Sequence, residues 1–401
     1  MRILILTQYF WPENFRINDV VEGLTSRGHA VTVYTGLPNY PGGRFFDGYG
    51  WLGPFRQEFK RAEVRRVPLI ARGSSGSLRL ALNYLSHALM ATLLAPFQLR
   101  GEFDAILVYE PSPMTIGVPA RALRALKGAP LLFWVQDLWP ESLSATGAVR
   151  SRALLALVDR LIKWIYRGCD RVLVQSEAFV ASVHAHGVPL ERIRYLPNSA
   201  EDFYRKLKPE AEGELPRGFR VMYAGNIGAA QDFATLLAAA ERLRGEPHIQ
   251  WIVLGDGRMR EWVAGEVKRR GLDNVHLLGP RPAESMPRYF AHADVLLATL
   301  RREPIFAYTI PSKIQSYLAC GRPVIAAMEG EGGRIIRSAG AGWAVAPEDP
   351  GALAEAVRAA SRLERSELDA MGNRGEAWFR EHFERGKLLS RLEGFLQEVK
   401  Q

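Results

Sequence analysis

Residues Thr309 to Ala327 read TIPSKIQSYLACGRPVIAA: a turn, one amphipathic helix, a Gly-Arg-Pro stop and a fully apolar strand. Pro311 suits the first turn of a helix, and nearby backbone N–H groups are left to face an anion. Lys313 sets a positive charge beside them. Helix followed by apolar strand is one period of an alternation that runs along the whole chain.

In the first half the strand-like runs are RILIL, AVTVYT, DAILVY, PLLFWV and RVLVQS, each separated by a helix-length segment. The first of these helices shows its period plainly, since Ile17, Val20, Val21 and Leu24 fall on one face and Gly28 stops the run. A second series follows with FRVMYAG, IQWIVLG, NVHLLG, ADVLLAT, RPVIAA and GWAVAP. Such alternation predicts an α/β protein with two Rossmann-like halves built on parallel sheets, and it places ligand loops at the carboxyl ends of the strands. A chain of 401 residues is also too long for one ordinary core and suits two domains of roughly 150–200 residues. Periodicity lapses between Asn198 and Arg217. We therefore assign residues 1–200 to an amino-terminal domain and 201–375 to a carboxyl-terminal one, with terminal helices over 376–401 returning to the first.

With 52 basic against 43 acidic residues, the charge balance favours an anionic partner such as a nucleotide phosphate, a nucleic acid or an acidic membrane. The basic pairs Lys60-Arg61 and Arg65-Arg66 form no long run or aromatic-interleaved stripe, which argues against nucleic acid. Cys169 and Cys320 stand far apart without metal-ligand spacing, so no disulfide framework or zinc site is expected and a reducing compartment is. MRILILTQYF lacks the pattern of a secretion signal, which predicts a cytoplasmic protein. Leu78 to Leu99 is broken by Arg79, Asn83, Ser86, His87 and Pro96; it reads as a buried or surface-docked helix, a poor membrane span.

Polar clusters gather at strand ends. In QYFWPENFRIND, Gln8 to Asp19, the residues Trp11, Glu13, Asn14 and Arg16 either line a ligand cleft or form a capping loop with Asn14 as the cap. In VYEPSPMTIG, Glu110 closes a strand before two prolines as a candidate acid, base or sugar-hydroxyl ligand, unless it only stabilises a helix start. In WVQDLWPES, Asp137 and Glu141 flank an aromatic-Pro turn, placed to bind an acceptor hydroxyl or its proton; a solvent-facing turn is the plainer alternative. YAGNIGAAQD offers Gly225 and Gly228 for close backbone approach to a phosphate, or else a simple tight turn. Gly255-Asp256-Gly257 and Leu278-Gly279-Pro280-Arg281 repeat the strand-turn arrangement. The eight histidines make no paired zinc pattern and no Asp-x-Asp follows a strand, so no metal is expected.

Taken in order, QYFWPENFRIND, EPSP, QDLWPES, GVPLERIRYLPNS, YAGNIG, LGDG, NVHLLG and PSKIQSYLACGRPV resemble glycosyltransferase family four along essentially the whole chain. The branch it looks most like contains bacterial O-antigen and colanic-acid N-acetyl-L-fucosamine transferases. The resemblance implies a GT-B fold, two Rossmann-like domains facing a central cleft, with the sugar nucleotide held by the second and the acceptor by the first. It also implies retention of configuration without a metal. Gly225, Asn226 and Gly228 would approach the donor diphosphate, the Gly279 to Arg281 turn would meet the base, and Ser312, Lys313, Ser316 and Tyr317 would surround diphosphate and ribose. The chain departs from the family pattern at Asn226, where many relatives carry arginine, and a nearby lysine is also missing. The paired glutamates of the family would fall on Tyr308 and Ser316, and its histidine before Glu-Pro on Tyr109.

The expectation is a transferase that moves a sugar, an N-acetylated hexosamine or deoxyhexosamine, from UDP to a polyprenyl-linked or other saccharide acceptor. Asp137, Glu110 and Lys313 are its candidate catalytic residues, and Trp11, Glu13, Asn14, Arg16 and Glu141 its acceptor contacts. No cofactor beyond the UDP-sugar co-substrate and no nucleic acid partner is expected. Peripheral contact with an anionic membrane, at the inner face of the plasma membrane, is. The alternatives are a UDP-sugar 2-epimerase, which needs no acceptor, and a non-catalytic nucleotide-sugar-binding protein.

Overall fold

A computed structural model describes residues 1–73, 76–145, 151–210 and 215–400. The chain divides into two compact units, Met1–Pro197 with Leu389–Gln401, and Asn198–Leu388. The first boundary thus falls three residues ahead of the expected one. The return to the first unit starts at Leu389 and not at 376, because the helix Arg365–His382 packs on the Ser312–Ala319 helix of the second unit.

In the first unit the strands are β1 (Arg2–Leu6), β2 (Ala30–Gly36), β3 (Arg56–Phe59), β4 (Ala62–Val67), β5 (Ala105–Glu110), β6 (Leu131–Val135), β7 (Arg171–Val174) and β8 (Ile193–Tyr195). They lie in the order β3-β4-β2-β1-β5-β6-β7-β8. All neighbours pair in parallel except β3, which runs antiparallel to β4. β1, β5 and β6 are apolar because helices cover both faces of a parallel sheet. The chain leaves β1 toward β2 and later returns to its other side with β5, so the loops after β1 and β5 diverge at a topological switch point.

The β3–β4 hairpin is absent from the sequence reading, which weighed its basic pairs only against nucleic acid. Lys60 and Arg61 form its turn with φ of +49° and +67°. Arg66 is wholly buried: its guanidinium donates to Gln57 Oε1 (2.8 Å), Gly36 O (3.0 Å) and the Trp11 carbonyl.

In the second unit β9 (Phe219–Ala224), β10 (Ile249–Leu254), β11 (Val275–Gly279), β12 (Val295–Thr299), β13 (Val324–Ala327) and β14 (Gly342–Val345) form an all-parallel sheet in the order β11-β10-β9-β12-β13-β14. Alternate residues serve opposite faces, as a strand's period of two requires. Val221 and Tyr223 join one core with Leu236 and Val357, while Met222 and Ala224 join the other with Ile314 and Leu318. The switch point here lies between β9 and β12, directly under Gly225.

Candidate functional site

In the second unit, Gly225 follows β9 with φ +128°, a conformation that favours glycine. A Cβ there would stand 2.6 Å from Lys313 Cε, so the lysine lies along this loop. Its amine meets the Tyr223 hydroxyl and sits 3.7 Å from the Tyr223 ring centroid. Burial lowers its pKa to about 7, and among the described residues no carboxylate pairs with it. An amine desolvated without a counter-charge at a helix start is suited to an incoming anion.

Three loops are tied together around this point. Gly225 N donates to Leu254 O and Ile227 N to Asp256 O, both at 2.8 Å, and Gly255 N donates to Gly279 O at 2.9 Å. A Cβ on Gly255 would fall 1.9 Å from Gly225 O, so only glycine lets the two loops approach. Asn226 is exposed, and its Nδ2 donates to Gln231 Oε1 at 3.1 Å. Gly228 lies against both of these side chains. Gly279 ends β11 with φ +74°, and exposed Arg281 donates to the Tyr289 hydroxyl at 3.0 Å. Ser312 is exposed at the first residue of its helix.

Two expected donor contacts turn inward. Tyr317 is buried, and its hydroxyl accepts from Ala224 N (3.1 Å) and donates to Ala224 O (3.3 Å). Ser316 is buried too, its Oγ donating to Ser312 O at 3.1 Å. Their hydroxyls are spent on the backbone, bracing the Gly225 loop and the helix. Tyr223, which the sequence reading passed over, carries the lysine; an aromatic two residues before the loop glycine was its only sequence signal. Near Tyr308, Gly330 is pressed against Ala307 O, which brings in Glu331, paired to Arg334 at 2.8 Å, and Glu329, 3.5 Å from Arg302.

In the first unit the loops after β1, β5 and β6 hold a second polar cluster. Asp137 is half-buried and accepts from Ser142 Oγ at 3.2 Å. Burial raises its pKa to about 6, against the pull of Ser142, Trp139 and the Leu138 amide. The Tyr84 hydroxyl lies among Tyr9, Ser112 and Asp137, and Arg72 donates to the Tyr9 hydroxyl at 3.3 Å. The sequence reading missed Tyr9, Arg72 and Tyr84, because only the fold brings them to Asp137.

Several expected contacts are corrected here. Glu110 is 0% exposed; burial and the Asp137 charge hold its pKa well above the usual range, against the pull of the Asp137 and Gln136 amides, so its carboxyl lies beneath the surface of the site and not at the open strand end the sequence suggested. Glu13 is also buried and fully used: Oε1 accepts from Asn39 N and Tyr40 N, both 2.7 Å, and Oε2 from Phe10 N at 3.0 Å. Burial lifts its pKa to about 7 against these three amides. Both of its oxygens are thus spent on clamping these loops. Asn14 is exposed and caps nothing, the helix Arg16–Ser26 starting from Phe15 without a side-chain cap. Asn18 does the local work, accepting from Trp11 N (3.1 Å) and donating to Glu13 O (2.7 Å). Trp11 and Arg16 are half-buried, Arg16 acting on Tyr109. Glu141 starts the helix Glu141–Ala145 and accepts from Ser182 Oγ at 2.5 Å. Among the described residues no three His, Cys, Asp or Glu gather as metal ligands.

Two α/β units, with a glycine loop and a half-buried lysine at the switch point of the second, have the architecture of the GT-B glycosyltransferases. The model of the glycosyl transferase 4-like domain matches residues 14–199, and that of the glycosyl transferases group 1 matches 218–362. WcaI of Escherichia coli (strain K12), described as a colanic acid biosynthesis glycosyl transferase, is 26% identical over 90% of this chain and 93% of its own. WbjE of Pseudomonas aeruginosa, described as a glycosyltransferase, is 27% identical over 61% and 63%. Anabaena Alr3699/HepE, solved with UDP-glucose, superposes with a TM-score of 0.69 over 100% of both chains at 18% identity. The chain belongs to glycosyltransferase family four.

Proposed function

We propose that this enzyme transfers an N-acetylated hexosamine or deoxyhexosamine from a UDP-sugar to a polyprenyl-linked or other saccharide in bacterial surface polysaccharide synthesis. It works at the cytoplasmic face of the plasma membrane, with retention and without a metal. The observation that carries this reading is the Lys313 amine, desolvated beside the Gly225 loop with no carboxylate of its own. The name of WcaI supports the polysaccharide setting, and the UDP-glucose complex of HepE supports the donor class.

Catalysis on this reading is electrostatic. Lys313 and the loop amides stabilise the departing diphosphate more than the bound donor, which lowers the barrier. The acceptor hydroxyl attacks from the face the diphosphate leaves and passes its proton to a leaving phosphate oxygen. Asp137, with Tyr84 beside it, orients that hydroxyl.

Calorimetric titration with UDP, GDP and UDP-N-acetylhexosamines, with and without chelator, is the test. Chelator-insensitive UDP binding, weakened by about 30-fold or more in Lys313→Ala as expected for a charged hydrogen bond lost, supports the donor site. Absence of nucleotide binding by the wild type overturns the reading. Binding without turnover on any saccharide acceptor would favour a non-catalytic role, which the missing carboxylates at Tyr308 and Ser316 would then explain.

A further inference from the structure

The helix Ser77–Gln98 is about 33 Å long at 1.5 Å per residue and has two unlike faces. Asn83, His87, Ala88, Ala91 and Ala95 face inward; the Tyr34 hydroxyl donates to Ala91 O at 3.0 Å, and Asn83 Oδ1 accepts from Gln8 Nε2 at 2.8 Å. Outward stand Leu78, Leu82, Leu85, Leu89, Leu93 and Phe97, between 42% and 75% exposed. Their spacing of three and four residues makes one continuous stripe. After Arg79 every exposed residue of this helix is apolar. A helix facing water carries polar residues there, and an apolar patch of this extent marks an interaction surface.

Two more helices continue the surface. Gly117–Lys127 packs against the striped helix and against Arg152–Arg167. Lys127 Nζ donates to Leu99 O (2.6 Å) and Gly101 O (3.0 Å), and the Arg121 guanidinium lies 4.6 Å from the Trp164 ring centroid. The outer helix exposes Leu154, Leu157 and Trp164 among exposed Arg160 and Arg167. Across all three helices the single acidic residue is Asp159, paired with Lys163 at 2.8 Å.

We propose that this three-helix face seats the first unit on an anionic phospholipid bilayer, the Leu/Phe stripe entering the headgroup–acyl boundary and the neighbouring arginines facing lipid phosphates. Basic side chains flanking an interfacial apolar stripe are the pattern such a surface binds. Sign disfavours the simplest rival: with Asp159 the single acidic residue on these helices, the same face of a second copy would offer the arginines little negative charge to meet. Composition alone would let the helix cross a membrane, but its inward face is committed to β2 and β4. The inference deepens the reading above, on which it rests for its purpose: Tyr84, on the striped helix, reaches the Asp137 cluster, where a lipid-linked acceptor held at the surface would be presented.

Sedimentation with vesicles tests it, using phosphatidylcholine alone and phosphatidylcholine mixed with phosphatidylglycerol. The wild type should sediment with the anionic vesicles, less as salt rises and little with the neutral ones. Leu85→Glu/Leu89→Glu and Arg160→Glu/Arg167→Glu should each lower partitioning about tenfold or more while the urea unfolding midpoint of the first unit, the control for folding, stays close to that of the wild type. A wild type left in the supernatant at low salt overturns the proposal, as does either double variant binding like the wild type. So does a wild-type dimer that Leu85→Glu/Leu89→Glu makes monomeric. None of these outcomes touches the donor site, whose own failure shows as lost UDP binding.

Discussion

Lys313 ties charge to ligand affinity. Its amine is desolvated over Tyr223 with its pKa lowered to about 7, so the ammonium fraction of the free protein falls as pH rises through that value. A bound diphosphate holds the proton on. Binding of a UDP-sugar, whose diphosphate has no titration of its own near neutrality, should therefore take up a proton and weaken about fivefold from pH 7 to pH 8, approaching tenfold per unit above. Calorimetry across pH 6 to 9 in buffers of different ionisation enthalpy reads both effects, and Lys313→Ala should show neither. A flat affinity over that range would remove Lys313 from the phosphate. Lys313 and Gly225 were legible in the sequence because a helix start and a loop glycine are local signatures. Glu13 and Tyr317 were not: whether their polar ends face a ligand or the backbone is decided by Tyr40, 27 residues on, and by Ala224, 93 residues back.

Among the elements, the strand-end loops of the second sheet depend on glycine where backbones meet. Gly255, with φ +147°, has space for a Cβ only 1.9 Å from Gly225 O. Gly255→Ala should cost about 2–4 kcal/mol of second-unit stability, from strain and overpacking together, and should abolish UDP binding by displacing Gly225. Gly265, inside the helix Arg260–Arg270 with open space where a Cβ would stand, is the contrast: Gly265→Ala should stabilise by about 0.5–1 kcal/mol and leave UDP binding intact. Urea unfolding with calorimetry separates the two. The main parallel strands were read correctly because a sheet covered on both faces demands apolar runs. The β3–β4 hairpin escaped because RQEFKRAEVRRV looks like solvated charge until Arg66 finds Gly36 O, Gln57 and the Trp11 carbonyl.

At the level of the whole molecule, the chain finishes in the unit where it began. Leu389, Leu392 and Leu396 are buried. Around them Glu393 pairs with Arg27 (2.6 Å) and His29 (2.7 Å), and Glu398 with Arg171 (2.6 Å) and Arg194 (2.7 Å). The ion pairs are the more visible contacts, but they are partly exposed, and such pairs are typically worth about 0–1 kcal/mol. A buried leucine cut to alanine costs about 2–5 kcal/mol through lost transfer energy and the cavity left behind. Leu396→Ala should therefore lower first-unit stability well beyond Glu393→Gln or Glu398→Gln. Because the second unit keeps its own core, Leu396→Ala should still bind UDP at urea concentrations where the first unit has unfolded. If the glutamine variants instead cost as much as the leucine variant, charge and not apolar burial would be what holds the terminal segment to the first unit.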